Sequence, residues 1–305
     1  MYNLLLTGAF SYTELQKQTL SELGFRVWYL QQESENLPLP ASDIDAVVCN
    51  GLFLHHDIDK FANLKFIQLT SAGLDRVPID KIQARNIELH NARGVYNVPM
   101  AEWTVFRVLE YFKRADHFNN AQQNVVWAKN RNLREISGIH VAIIGAGNVG
   151  QTIAKLFFAF GANVVGFDIH QNAIPYFAEM DLIENISERI GDFDVLVITA
   201  PLTSQTYHLI SDDLVANMKQ NALLVNIARG ALIDESALCR ILQHRKDIHA
   251  ALDVFEIEPL PADSPLWKLP NVYVSPHNSF VSDGNSKRMF EVIYNNLRNF
   301  AQTQR

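Results

Sequence analysis

The sequence predicts two α/β units, each built on a parallel sheet. Three observations carry this. The chain has 305 residues, about twice a typical domain. Short apolar runs alternate with amphipathic stretches in two successive series, the pattern of parallel strands joined by helical crossovers. The second series opens on a glycine-rich turn between a strand and a helix.

In the first series, residues 3–7, 26–30, 44–49, 66–70 and 87–90 read as strands. Residues 12–23 have helical apolar spacing, with Gly24 as a C-cap. Pro38 and Pro40 mark a loop, and the turns Asn50-Gly51 and Ser71-Ala72-Gly73 end the third and fourth strands. From Pro99 the pattern changes. Residues 100–113 read as one long helix with Pro99 near its start. A polar stretch over 119–135, rich in Asn and Gln and holding Trp127, follows it. The second series has strands at 140–144, 163–168, 195–199, 222–226, 249–253 and 272–275. Six strands at this spacing make a full dinucleotide-binding fold. A last helix spans 285–300.

Composition excludes several classes. Lys plus Arg number 26 and Asp plus Glu 33, a net charge of −7 that argues against nucleic acid as the main partner. Two cysteines, Cys49 and Cys239, lie in no ligand spacing, so a disulfide scaffold and a structural zinc site are not expected, and a reducing cytoplasm is. The first residues lack the basic leader and cleavage site of a signal peptide. No uninterrupted apolar stretch is long enough to span a membrane.

The glycine turn reads Gly145-Ala146-Gly147-Asn148-Val149-Gly150, a GxGxxG opening a helix over 151–160. Gly145 allows the tight turn, Gly147 lets the backbone approach a pyrophosphate, and Gly150 lets the helix pack on the sheet. The amides of Asn148 and Val149 then face phosphate at the positive end of the helix. The next strand ends in Asp168, 18 residues after the third glycine. A carboxylate there accepts bonds from the ribose hydroxyls and repels a 2′-phosphate, which favours NAD over NADP.

Downstream, the segments starting at Val225, Asp253 and Ser275 each begin at the C-terminal end of an expected strand, the end that faces the crevice of an open α/β sheet. They deliver Arg229, Glu258 and His277. Hydride transfer to a carbonyl needs a proton donor for the oxygen, and His suits it near neutral pH. A neighbouring carboxylate orients the ring, and Arg can grip a substrate carboxylate and polarise the carbonyl.

Together these segments resemble the D-isomer-specific 2-hydroxyacid dehydrogenase family over nearly the whole chain. The resemblance rests on Thr70-Ser71-Ala72-Gly73-Leu74-Asp75, the helix start from Pro99 to Trp103, the GxGxxG unit and Pro201-Leu202-Thr203 with Thr206. It rests also on Asn226-Ile227-Ala228-Arg229-Gly230, the run from Asp253 to Leu260, and Pro276-His277. It implies that Arg229 binds the 2-oxo acid, that His277 is the acid–base, and that Glu258 pairs with it, Glu256 being a solvated acid. It implies that Asp253 contacts the nicotinamide side, that Ala200 and Pro201 flank the adenosine with Thr206 near the phosphates or ribose, and that the backbone of Ile227 and Ala228 lines the nicotinamide pocket. The amides of Ser71, Ala72 and Gly73 would hold the substrate carboxylate, Asn50 and Gly51 would shape the other wall, and Thr104 and Tyr96 would reach cofactor or substrate.

The resemblance further implies a Rossmann-like NAD-binding domain over 99–278 and a discontinuous, flavodoxin-like substrate domain over 1–98 plus 279–305. A cleft would lie between them, with a hinge near Pro99 and His277 whose closure excludes water. It also implies a homodimer built through the NAD-binding domains and the arm at 119–135, and no metal. The alternatives are an NADH-binding sensor of the corepressor kind and, among enzymes, a glyoxylate or hydroxypyruvate reductase or a phosphoglycerate-type dehydrogenase. His55-His56 reads as loop, since adjacent residues point apart, and Trp267 reads as a packing anchor. Asn278-Ser279 departs from the family, where smaller residues follow the His. Glu258 departs from the glutamine of formate dehydrogenases, and no regulatory extension follows the last helix.

Overall fold

In β1 (Tyr2–Thr7) successive leucines face opposite ways. Leu4 and Leu6 pack in one buried cluster and Leu5 in another. That is the signature of a strand covered on both faces, as parallel sheets are. The computed structural model describes residues 1–303, which divide into two compact units. The first holds Met1–Tyr96 together with the chain from Ser282 onward, and the second holds Asn97–Val281.

The first unit has five strands: β1, β2 (Phe25–Leu30), β3 (Ala46–Cys49), β4 (Phe66–Leu69) and β5 (Glu88–His90). They form one sheet in the order β2-β1-β3-β4-β5, parallel throughout. Three helices lie between them: α1 (Glu14–Glu22), capped by a reciprocal Thr13–Gln16 box, α2 (Leu52–His55) and α3 (Ile79–Ala84). The last two are too short to leave an apolar period in the sequence.

The second unit opens with α4 (Asn97–Phe112) and α5 (Ala115–Gln123). The polar stretch expected at 119–135 therefore begins inside a helix. Its sheet holds β6 (His140–Ile144), β7 (Asn163–Asp168), β8 (Glu179–Leu182), β9 (Val195–Ile198), β10 (Leu223–Asn226), β11 (His249–Leu252) and β12 (Val272–Val274). The order is β12-β11-β10-β9-β6-β7-β8, again parallel. β8 is a seventh strand that the sequence reading does not contain. It is an edge strand of mixed polarity, Glu179-Met180-Asp181-Leu182, so no apolar run announces it. Helices α6 (Asn148–Ala159), α7 (Ile186–Arg189), α8 (Asp212–Ala216) and α9 (Glu235–His244) complete this unit. Two buried clusters cover the two faces of its sheet: Ala142 and Ile144 of β6 enter one, and Val141 and Ile143 the other.

The final helix, α10 (Asn285–Thr303), returns to the first unit. Met289, Ile293, Leu297 and Phe300 recur on one face and pack with Leu4, Leu6, Phe25 and Phe66. Asn296 Nδ2 donates to Gln68 Oε1 of β4, fixing the register of helix on sheet. No helix is long and apolar enough to cross a membrane, and no cluster of three or more metal-ligating side chains is present among the described residues.

Candidate active site

Three adjacent strands of the second unit end in the segments that carry Arg229, Glu258 and His277, and backbone bonds lace those ends together. The Asp253 amide donates to Asn226 O at the end of β10, and the His277 amide donates to Asp253 O at 2.7 Å. Gly230 brings the Arg229 turn against the next segment. A Cβ there would lie 1.8 Å from the carbonyl carbon of Phe255, so only glycine fits. The Phe255 amide in turn donates to Glu258 Oε1 at 3.0 Å. The other carboxylate oxygen, Oε2, lies 2.7 Å from His277 Nδ1. Both side chains remain well exposed.

His277 has φ +50°, a backbone conformation rare for a residue with a Cβ. Asp253 maintains it. Its carboxylate accepts the amides of Asn278 at 2.8 Å and Ser279 at 2.9 Å, together with the Ser275 hydroxyl. The resemblance places Asp253 against a nicotinamide. In the structure the residue is 0% exposed, and its carboxylate is engaged by the loop around His277. Thr104 is likewise engaged within the fold. It is fully buried in α4, and its hydroxyl donates to Met100 O one turn back.

Arg229 is partly exposed at the end of the turn, with Nη1 donating to Ala228 O at 2.8 Å. The Asn226 side chain pins that turn, accepting from the Ala228 amide and donating to Arg229 O. Ile227 and Ala228 are buried beside it.

The glycine turn behaves as its pattern requires. Gly145 has φ +94°, and a Cβ on it would strike the backbone of Ala200. A Cβ on Gly150 would lie 2.1 Å from Gly145 O, so the helix closes directly on the turn. Above Gly147, by contrast, nothing lies within 4 Å of such a Cβ, and no side chain caps the N-terminus of α6. Open space over the N-terminus of a helix fits a pyrophosphate. Asp168 ends β7 and accepts the Ala146 amide at 2.6 Å, which holds it beside the turn. Thr206 closes the loop after Pro201, donating to Pro201 O and accepting the Thr203 amide. Trp267 is not the anchor expected: half of it is exposed, with its indole N–H on Pro261 O.

In the first unit, the turn after β4 is braced through its carbonyls. Thr70 O accepts from the Tyr96 hydroxyl, Ser71 O from the Ala92 amide, Ala72 O from Asn91 Nδ2 and Gly73 O from the Ser71 hydroxyl. Tyr96 thus supports the turn. The Asn50-Gly51 turn after β3 is held by Glu33, which sequence reasoning missed. Its carboxylate accepts the amides of Asn50 at 2.7 Å and Gly51 at 2.6 Å and the Thr7 hydroxyl at 2.7 Å. His56 Nε2 lies 2.9 Å from Glu33 O, which accounts for one of the paired histidines.

Comparison with known proteins bears on the whole arrangement. The profile described as D-isomer specific 2-hydroxyacid dehydrogenase, NAD binding domain, matches residues 105–279. A glyoxylate reductase of Thermofilum pendens is 33% identical over 79% of this chain and 73% of its own length. A D-3-phosphoglycerate dehydrogenase of Methanocaldococcus jannaschii is 32% identical over 83% of this chain, which spans 48%, about half, of that longer protein. Among solved structures, a D-isomer specific 2-hydroxyacid dehydrogenase family protein from Aeromonas salmonicida superposes with a TM-score of 0.85 at 26% identity, covering 99% of this chain and 96% of that one. On the glycine turn, the paired parallel sheets and these matches, the chain belongs to the D-isomer specific 2-hydroxyacid dehydrogenase family, a family of oxidoreductases.

Proposed function

We propose that the protein is an NAD-dependent oxidoreductase that interconverts a 2-oxo acid and its D-2-hydroxy acid, with His277 as the acid–base. The observation that carries this reading is the 2.7 Å contact between His277 Nδ1 and Glu258 Oε2, in a loop locked by Asp253. With Nδ1 donating to Glu258, Nε2 is the ring atom left to exchange a proton with the substrate. A nicotinamide held here would supply the hydride-transfer chemistry at the carbonyl carbon. As the carbonyl oxygen gains charge, Nε2 of His277 gives it the proton; in oxidation the same atom accepts it. Glu258 keeps the ring aimed and neutralises its charge. Arg229 grips the substrate carboxylate and polarises the carbonyl.

The braced carbonyls of residues 70–73 leave the amides of Ser71, Ala72 and Gly73 as the groups an anion meets, so this turn holds the substrate carboxylate, with Asn50 and Gly51 as a wall. The first unit is then the substrate domain and the second the NAD-binding domain. The amides of Asn148 and Val149 take the pyrophosphate, and Asp168 takes the adenosine ribose and disfavours a 2′-phosphate. The exposed Val125, Val126 and Trp127 of the segment after α5 support a homodimer formed through this unit. Both cysteines are free and buried, in keeping with a cytoplasmic protein.

The test is loss of NADH absorbance with glyoxylate, pyruvate, hydroxypyruvate, phenylpyruvate, 2-oxoisocaproate and phosphohydroxypyruvate, each repeated with NADPH. Turnover of at least one acid, faster with NADH, is expected. Tight NADH binding without turnover of any would favour the sensor.

A further inference from the structure

Glu33 is an acid placed under one wall of the proposed substrate site. It comes from the loop after β2, yet its carboxylate is bound at the end of β3, two strands away in the sheet. Its three hydrogen bonds come from uncharged donors, two amides and a hydroxyl. They fix its position, and none of them brings a countercharge.

The sheet brings this charge close to the turn at 71–73. β3 and β4 are adjacent, with Cys49 level with Leu69, and the Thr70 amide donates to Cys49 O at 2.9 Å. The turns Asn50-Gly51 and Ser71-Ala72-Gly73 thus leave neighbouring strand ends, which lie about 5 Å apart. A small acid seated on the amides of Ser71, Ala72 and Gly73 is then on the order of 10 Å from the Glu33 carboxylate. Two like charges some 8 Å apart, at an effective dielectric near 20, repel enough to change an equilibrium roughly 30-fold. The carboxylate common to all 2-oxo acids meets the same repulsion, so only a second anion discriminates.

We propose that Glu33 is a specificity-determining residue that restricts the site to 2-oxo acids with an uncharged side chain, excluding those carrying a second carboxylate or a phosphate. This rests on the dehydrogenase reading above. It acts by charge, through the wall that its hydrogen bonds hold in place.

The experiment measures kcat/KM for hydroxypyruvate and pyruvate against oxaloacetate, 2-oxoglutarate and phosphohydroxypyruvate, with NADH. The intact protein should favour the singly charged acids. The ratio of doubly to singly charged substrate should rise tenfold or more in Glu33→Gln and stay low in Glu33→Asp, which keeps the charge. A purely structural role for Glu33 would alter rates without moving this ratio with charge. Should Glu33→Gln fail to fold, salt decides on the intact protein: repulsion predicts a ratio that rises with ionic strength, attraction one that falls. Preference for doubly charged acids, a ratio unmoved in folded Glu33→Gln, or a ratio that falls with salt overturns the proposal. Turnover of no 2-oxo acid overturns the dehydrogenase reading itself, and the specificity role with it.

Discussion

Two loops of this molecule are held by the same device. After β11, the carboxylate of Asp253 gathers two amides and a hydroxyl and fixes the turn that carries His277. After β2, the carboxylate of Glu33 gathers two amides and a hydroxyl and fixes the turn Asn50-Gly51. The difference lies in what surrounds them. Asp253 is 0% exposed, and its turn presents a side chain; Glu33 is half-buried, and its turn presents backbone. A fully buried anchor commits its charge to one geometry. A half-buried one keeps a field that a ligand can sense.

Variants can break this comparison, and the largest effect belongs to the residue that the buried anchor positions. His277→Gln should lower kcat by about 10²–10⁴-fold, the usual range for losing an acid–base. The NADH dissociation constant, read by fluorescence, should change less than threefold. Turnover within tenfold of the parent would remove His277 from the mechanism. If Arg229 acts on both carboxylate and carbonyl as proposed, Arg229→Ala should raise KM and lower kcat together, by about 10² in kcat/KM. A change confined to KM would limit it to binding.

The anchors themselves can be set against each other by thermal unfolding. Asp253→Asn puts an amide N–H against a buried backbone N–H and leaves a donor without an acceptor, at a cost of about 1–3 kcal/mol. Glu33→Gln can turn toward solvent and should cost less than half as much. Equal losses in Tm would show that burial is not what separates the two.

A last test is pH. His249 opens β11, the strand that leads to Asp253, with its ring 4.2 Å from the ring of Tyr111. Burial, reinforced by the Arg114 charge, pushes its pKa down from 6.5 to about 4. Its folded value lies below its unfolded one. Its contribution to stability is therefore intact above pH 6.5 and lost as pH falls toward 4, by up to about 3 kcal/mol. His249→Phe should flatten that part of the stability profile. An unchanged slope would rule His249 out as its source.

The sequence was most readable where burial and function act on neighbouring residues. Runs such as Leu4-Leu5-Leu6 and Val141 to Ile144 announce strands because both faces of a parallel sheet are covered. The glycine turn announces itself because Gly145 and Gly150 meet backbone that no side chain could approach. The segments bearing Arg229, Glu258 and His277 were readable for the same reason: Gly230, Asp253 and Ser275 sit in the same short runs as the groups they position. β8 was unreadable because an edge strand needs no apolar period. Its Asp181 instead takes bonds from Asn185, Arg189 and Gln171, which hold its carboxyl down at about 2. Glu33 was unreadable because an acid in a polar loop looks solvated until the fold brings Asn50 and Gly51 to it. The burial of Thr104 and Asp253 was hidden for a related reason, since a polar residue in a motif does not say which way it faces.

The return of α10 to the first unit sets a schedule for biosynthesis. Met289, Ile293, Leu297 and Phe300 cover one face of a sheet whose strands are all made before residue 91. That sheet has emerged from the ribosome long before its cover exists. At about 5–20 residues per second, translating the stretch from Asn97 to Val281 takes roughly ten to forty seconds. Throughout that interval Leu4, Leu6, Phe25 and Phe66 have Phe10, Leu20, Ala92 and Val95 beside them but not the side chains of α10, while the second unit can complete its own core. The core of the first unit is thus closed only by a helix that follows the whole second unit, and a chain halted before residue 285 lacks that closure.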